Sequence, residues 1–296
     1  MKLLYRCVKR KKDYNMKKKI KEGISKLYKI LKKPEMAILP SNIAFNLILA
    51  IIPIITLVVL IASSFDISID TVSNLISEFM PKQVSDVIIS TISGKGFDNQ
   101  VGFFNIFAIV IASNGMYALI NTSDALYKID GAKELNKRIS SILILFIVIL
   151  LFLFLLIVPV FGENILELIN YAKVFGKYSY IVNSIYDILK WPLTLLMIYL
   201  NINLIYTVAP SVNIKSRDTR IGAIFTTFSW TLLTVIFRFY LTYFARYDIL
   251  YGNLSSIIIM MVWIYFLSYI FTFGMAINVF IRDQVVKREK EKNKAD

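Results

Sequence analysis

The chain of 296 residues contains no histidine, a single cysteine (Cys7) and only 18% charged residues. Without histidine, the commonest general base, the Ser–His and Cys–His nucleophile pairs and every His-ligated metal centre are excluded. One cysteine forms neither an internal disulfide nor a Cys-rich zinc site. Because most conventional enzyme chemistry lacks its residues here, we predict a protein that is not an enzyme, with no catalytic residues, no metal and no cofactor.

Apolar residues are abundant instead, at 57% of the chain, and the mean hydropathy is +0.63. A soluble domain averages about 45–50% apolar residues. The excess is too large for the core of a domain of this size, so the composition predicts that lipid surrounds much of the chain. We predict an all-α membrane protein with six transmembrane helices, near residues 42–64, 101–122, 140–161, 185–208, 219–243 and 254–281.

The connection between the first two spans, residues 65–100, has the pattern of two short amphipathic helices. Apolar residues recur at helical spacing on both sides of Pro81, which breaks the pattern. We predict that this segment is extracytoplasmic and lies on the outer face of the bundle or in the outer leaflet. The predicted organisation is a basic tail over residues 1–40, a membrane domain over 41–281 and a charged tail over 282–296.

The net charge of +14 is concentrated at the N-terminus, where residues 1–33 contain fourteen Lys and Arg and two acidic residues. Apolar residues from Ile20 to Leu31 follow one helical stripe before Pro34 interrupts the helix. This pattern favours an amphipathic helix on an anionic membrane surface over a solvated tail, and nucleic acid is not an expected partner. The lysines expected at the lipid surface are Lys18, Lys19, Lys26, Lys29, Lys32 and Lys33.

The distribution of Lys and Arg also predicts the orientation. With the N-terminus inside, the inside segments contain 27 of the 34 basic residues and the outside segments contain five. Cytoplasmic loops carry the excess of Lys and Arg in membrane proteins. We therefore predict that both termini are cytoplasmic.

Motifs in the second half occur in an order and spacing that resemble the YihY/BrkB family of multi-pass bacterial membrane proteins. They are Pro210, which opens the loop PSVNIKSRDTRIGA, the run Tyr251-Gly252-Asn253-Leu254, and Gly274 and Asn278 in the last span. The resemblance covers residues 25–282. It implies six spans in the cytoplasmic membrane of a bacterium and a role in envelope or lipid-related transport. The family has also carried the label of ribonuclease BN, for which this chain offers no histidine and no cluster of carboxylates.

Polar residues inside the predicted spans are candidates for substrate binding, because they are costly in hydrocarbon. Lys190 and Arg238 each lie about one turn from the outer end of a span. There they either extend to the interface or form a basic site for an anionic headgroup. The remaining candidates are Asn46, Asn105 and Asn201, and each of these is alternatively an interhelical hydrogen-bonding residue.

Two functions are consistent with these features. The first is a transporter that exposes an inter-helix cavity to alternate leaflets and moves a lipid or another amphiphilic envelope component. The second is a non-catalytic scaffold that recruits envelope-assembly proteins. The expected partners are anionic membrane lipids and envelope proteins, and the sequence leaves the oligomeric state open.

The arrangement of the spans adds two smaller expectations. Pro53 and Pro192 fall in the first span of each three-span half, and the halves have opposite topology, which hints at an inverted repeat. Asp124, at the inner end of the second span, is expected to cap a helix or to pair with Lys128 rather than to catalyse a reaction.

Overall fold

The computed structural model describes residues 25, 32, 34–64, 69–93, 102–171, 179–244 and 247–292, and these contain helices and turns but no strand. The helices are α1 (Glu35–Ser63), α2 (Ile69–Phe79), α3 (Lys82–Ser93), α4 (Gly102–Tyr127), α5 (Glu134–Tyr171), α6 (Ser179–Val208), α7 (Ser216–Tyr243), α8 (Tyr247–Tyr251), a 3-10 turn (Gly252–Leu254) and α9 (Ser255–Lys292). In the described part of the chain, α1, α4, α5, α6, α7 and α9 contain segments long and apolar enough to cross a membrane. The prediction of an all-α protein with six spans is confirmed.

The first and last spans extend beyond the predicted limits. Helix α1 begins at Glu35, and Pro34 is its N-cap. Proline is tolerated there because the first N–H groups of a helix have no intrahelical partner. The amphipathic helix predicted before Pro34 lies outside the described residues, which before Pro34 are residues 25 and 32 alone. Helix α9 continues to Lys292, so both helices run through the predicted domain boundaries at residues 40 and 281.

The spans alternate in direction, which gives the bundle two ends. The tail face contains the start of α1, the α4–α5 and α6–α7 connections and the end of α9. The hairpin face contains α2, α3 and α8. We call α1–α5 the first half of the protein and α6–α9 the second half.

Helices α2 and α3 belong to the core of the bundle. Val72 and Ile76 of α2 and Val84 and Ile88 of α3 are each at most 2% exposed, and they join the same hydrophobic core as the spans. Pro81 separates the two helices, as the sequence predicts. Helix α3 packs against α9. The amphipathic segment therefore covers the hairpin end of the bundle with its apolar stripe buried.

Large apolar side chains are exposed along the spans, as expected of helices that face lipid. Helix α1 packs most extensively against α4 and α9, and α7 packs against α9 and α6. The opposite side of α7 exposes a continuous apolar stripe, formed by Phe228, Leu232, Val235, Ile236 and Phe239. Because lipid chains are as apolar as these side chains, small and polar residues determine where such helices meet.

Helices α7 and α9 cross at two glycines. A Cβ atom on Gly222 would lie 2.1 Å from the carbonyl oxygen of Gly274, so only glycine permits this approach. Tyr206 of α6 is fully buried beside the crossing, where its hydroxyl donates to the Phe271 carbonyl at 2.7 Å and contacts the Thr226 hydroxyl at 2.7 Å. The crossing thus joins all three spans of the second half.

We expect Gly222→Ala to lower the stability of the protein by about 1–3 kcal/mol, the usual cost of overpacking a close contact. Thermal unfolding in detergent measures the change. Gly115→Ala is the matched control, since the nearest atoms to its added Cβ are Leu47 Cδ2 at 3.1 Å and Ala50 Cβ at 3.2 Å, both well beyond the 2.1 Å found at Gly222. A Gly222→Ala variant as stable as the control would contradict the close crossing.

Candidate functional site

Arg238 of α7 binds the carboxyl end of α2. Its Nη2 donates to the carbonyl oxygens of Met80 at 2.7 Å and Ser77 at 3.2 Å, and also to that of Glu78. The last four carbonyls of a helix lack intrahelical donors, so the guanidinium supplies hydrogen-bond donors to carbonyls at the end of α2. The negative end of the helix dipole also attracts the positive charge. Arg238 therefore ties α7 in the second half to α2 in the first.

A cavity of about 490 Å³ opens beside this guanidinium on the hairpin face. One wall is the α2–α3 hairpin and the other is the last part of α7. The lining residues are Ser77, Met80, Pro81, Lys82, Gln83, Ser85, Asp86, Arg238, Leu241 and Thr242. Small-molecule sites usually measure about 300–1,000 Å³, so the cavity has room for a compact polar group.

The lining of the cavity combines polar and apolar surface, and its charged side chains have an excess of positive charge. Lys82 and Arg238 carry two positive charges against the single negative charge of Asp86. The hydroxyl of Ser85 is already used, because it donates to the Lys82 carbonyl at 2.9 Å. Arg238 keeps donors in reserve, since the hydrogen bonds found among the described residues all use its Nη2. An anion is therefore the ligand that the cavity suits best.

The cavity borders the lipid-facing side of α7. Val235 and Thr242 lie one turn before and one turn after Arg238, and both are exposed. Val235 is also part of the apolar stripe that runs along α7 into the bilayer region. A molecule with an anionic head and apolar chains could therefore place its head in the cavity and its chains along the adjoining apolar stripe of α7.

The other predicted substrate-binding residues do not meet Arg238 in the described part of the structure. Asn46 donates to the carbonyl of Asn42 at 2.9 Å, and Asn201 donates to the carbonyl of Met197 at 3.0 Å, so each amide bonds to its own helix. The side chains of Asn105 and Lys190 lie outside the described residues. So do the predicted surface lysines apart from Lys32, which is exposed in the turn before α1.

Asparagines do form interhelical hydrogen bonds elsewhere. Asn278 of α9 accepts from the backbone N–H of Gly222 at 2.7 Å. Asn203 of α6 donates to Ser216 at 2.6 Å and accepts from Thr219 at 2.7 Å, which ties α6 to the start of α7. These contacts support the structural interpretation of asparagine in the spans.

A second polar cluster, which the sequence did not reveal, lies on the tail face around Asp124. The carboxylate of Asp124 accepts from the backbone N–H of Ser211 at 2.8 Å and from the hydroxyl of Ser211 at 2.7 Å. Its other partner is Lys137 of α5, at 3.4 Å. The side chain of Asp124 is only 4% exposed. A buried carboxylate with three such partners is strongly held in place.

The expected pairing of Asp124 with Lys128 is wrong. Lys128 follows the end of α4 with a positive φ of 55°, so the i,i+4 geometry of a continuing helix does not apply to it. Lys137 reaches Asp124 from the next helix instead. Asp124 does not cap a helix through this contact either, because the backbone N–H that it binds belongs to Ser211 in the α6–α7 connection.

Comparison with known proteins gives a consistent assignment. The family model described as "Virulence factor BrkB" matches residues 28–296. The ribonuclease-like protein YfkH of Bacillus subtilis (strain 168) is 26% identical over 255 residues, which cover 84% of this chain and 90% of that protein. A UPF0761 membrane protein of Cronobacter sakazakii (strain ATCC BAA-894) is 23% identical over 269 residues, which cover 88% of this chain and 89% of the relative.

A shorter match has a higher identity. A UPF0761 membrane protein of Yersinia pseudotuberculosis serotype O:3 (strain YPIII) is 31% identical over 112 residues, which cover 38% of each chain. No solved structure matches this protein.

The contact between Arg238 and α2 leads to a prediction about local stability. Replacing Arg238 with alanine removes a charged donor to carbonyls that have no intrahelical partner, a loss of about 1.5 kcal/mol. We expect backbone amides of residues 69–80 to exchange with deuterium about tenfold faster in the Arg238→Ala variant, measured by mass spectrometry in nanodiscs. Arg220→Ala, at an exposed position near the start of the same helix, is the control. Unchanged exchange in α2 would show that Arg238 does not hold this helix.

Proposed function

This chain belongs to the virulence factor BrkB family of membrane proteins, and we propose that it binds the anionic headgroup of a lipid or of another amphiphilic envelope component and moves it across the membrane. The observation that carries the proposal is the cavity beside Arg238, where a basic polar site adjoins the exposed apolar stripe of α7. The headgroup would lie against Arg238 and Lys82, and the chains would lie along the stripe.

The proposal places the tail face in the cytoplasm of a bacterium and the hairpin face outside. The described basic residues support this orientation. Lys128, Lys133, Lys215, Arg217 and Arg220 are exposed on the tail face, whereas Lys82 is the exposed lysine of the α2–α3 hairpin. Both termini are then cytoplasmic, and the cavity receives or releases its ligand at the outer leaflet.

Arginine suits an anionic headgroup better than lysine does at this position. Its planar guanidinium has five donors, and two of its nitrogens can bind two oxygens of one phosphate. Lys82 adds a second positive charge from the other wall. A zwitterionic headgroup would bring its own positive charge against both residues, so selectivity for net negative lipids follows.

The alternative function is that of a membrane scaffold that recruits envelope proteins. The burial of α2 and α3 in the core and the contacts of Asp124 on the tail face favour it, because both close the bundle. A scaffold requires no movement and no ligand selectivity. Lipid binding therefore discriminates between the two proposals.

The described residues offer no support for the ribonuclease-like activity in the name of the Bacillus relative. The sequence contains no histidine, and the described residues contain no group of three or more acidic, cysteine or histidine side chains able to hold a metal ion. Nuclease mechanisms rely on such groups to activate water and to stabilise the leaving oxygen.

Native mass spectrometry of the protein extracted with membrane lipids tests the proposal. We expect the wild type to retain phosphatidylglycerol in preference to phosphatidylcholine. The Lys82→Gln and Arg238→Gln variants should each lose this preference by about tenfold, the equivalent of one charge-assisted hydrogen bond. Lys82→Gln is the variant less prone to misfold, because Lys82 is exposed and the side chain that donates to the end of α2 is Arg238.

Lys215→Gln is the matched control, because it removes one exposed lysine from the tail face. It should leave the preference unchanged. If wild type and cavity variants retain the two lipids equally, the headgroup site is refuted and the scaffold function takes its place.

A further inference from the structure

We infer that Asp124 and Arg238 are latches that hold the two halves of the protein together at opposite faces, and that release of one latch at a time opens the bundle to one side of the membrane. Both residues bind backbone groups of the other half. Asp124 of the first half binds the N–H of Ser211 in the second. Arg238 of the second half binds carbonyls at the end of α2 in the first.

The two latches lie far apart across the membrane. Arg238 is roughly 33 Å along α7 from Ser216, at a rise of 1.5 Å per residue, which is about the thickness of the hydrocarbon layer. The tail latch is reinforced by Arg282 of α9, whose guanidinium lies 5.5 Å from the ring centre of Tyr127 on α4. Each face of the bundle therefore has its own polar connection between the halves.

Between the latches, the halves meet through apolar surfaces. Helix α1 packs against α9 across the boundary between the halves. The buried residues of these helices include Val58, Val59, Met260 and Ile264, which belong to one hydrophobic core. Apolar contacts have no preferred direction, so a small rotation about this interface preserves them. Hydrogen bonds are lost abruptly with distance and angle, so the latches determine which rotations are allowed.

Both contacts are formed in the structure, which in this scheme is the state with neither latch released. Opening the tail face requires loss of the contacts of Asp124 with Ser211, while Lys137 keeps the carboxylate paired within the first half. Opening the hairpin face requires loss of the contacts of Arg238 with α2. In each case the charged side chain gives up backbone partners that water can replace.

One step of this scheme rests on the proposed function. An anionic headgroup in the hairpin-face cavity would compete with the α2 carbonyls for the guanidinium of Arg238, and the charged ligand is the stronger acceptor. Binding of the headgroup would then release the hairpin latch. The substrate itself would thus favour the state that is open to its own side.

Thiol accessibility in nanodiscs of phosphatidylcholine tests the latches without any anionic ligand. After Cys7→Ser, two buried reporters are introduced separately: Ser123→Cys beside the tail latch, and Val72→Cys on α2 beneath the hairpin latch. Both positions are at most 1% exposed. The measured quantity is the rate of reaction of each reporter with a charged methanethiosulfonate reagent.

We expect Asp124→Asn to raise the rate at Ser123→Cys at least tenfold and to leave the rate at Val72→Cys unchanged or lower. Arg238→Gln should do the reverse. Ser211→Ala, which removes one hydrogen bond and retains the backbone N–H, should act like Asp124→Asn with a smaller effect. Glu134→Gln is the matched carboxylate control, because Glu134 contacts Lys137 within its own half, and it should change neither rate.

If Asp124→Asn or Arg238→Gln raised the reaction rates of both reporter cysteines equally, the inference would be overturned, because a general loss of stability exposes both positions alike. Acceleration of neither reporter would overturn it as well. Nanodiscs of phosphatidylglycerol test the headgroup step separately. There the rate at Val72→Cys should rise several-fold in the protein with both latches intact. If the latch variants behave as expected but phosphatidylglycerol has no effect, the latches stand and the proposed headgroup site fails.

Discussion

Backbone groups at the ends of a membrane bundle need hydrogen-bond partners, and as long as water is kept out of the bundle these come from the protein, because lipid offers none. This constraint explains the two long-range polar contacts on which the architecture depends. The carbonyls at the end of α2 receive their donors from Arg238, and the N–H of Ser211 finds its acceptor in Asp124. The remaining contacts between the halves are mainly apolar packing, which restricts the relative position of the two halves less strictly than hydrogen bonds do. The helices of the second half are instead fixed to one another, by the Gly222–Gly274 crossing and the buried hydroxyl of Tyr206.

The fold followed from the sequence because membrane solvation leaves few alternatives. Six long apolar stretches become six helices, and the stripe around Val72 and Val84 becomes a buried face of two short helices. The helix limits were less predictable, since Pro34 is compatible with either the end of one helix or the start of the next. The confirmed resemblance to the BrkB family reflects order and spacing over most of the chain.

The site was only partly predictable. Arg238 was identified because a charge within a span is costly. Its partners could not be identified, because they are backbone carbonyls such as that of Glu78, 160 residues away. Every residue has a carbonyl, so no side-chain pattern in the sequence marks the ones that Arg238 binds. Asp124 was predicted to bind locally, because i,i+4 pairing can be read from spacing, whereas its real partners depend on how α5 and the α6–α7 connection meet α4. For Asn46 and Asn201, the sequence could not show that each amide bonds to its own helix.

Distances between spin labels on the two halves test the latch mechanism most directly. After Cys7→Ser, one pair is placed on the tail face at Lys133→Cys and Arg217→Cys. A second pair is placed on the hairpin face at Asn74→Cys and Phe244→Cys, and all four positions are exposed. Pulsed electron paramagnetic resonance in phosphatidylcholine nanodiscs should give one short distance for each pair. Asp124→Asn should lengthen the tail-face distance alone, and Arg238→Gln should lengthen the hairpin-face distance alone. Distances that stay fixed in both variants, or that broaden together on both faces, would contradict the mechanism.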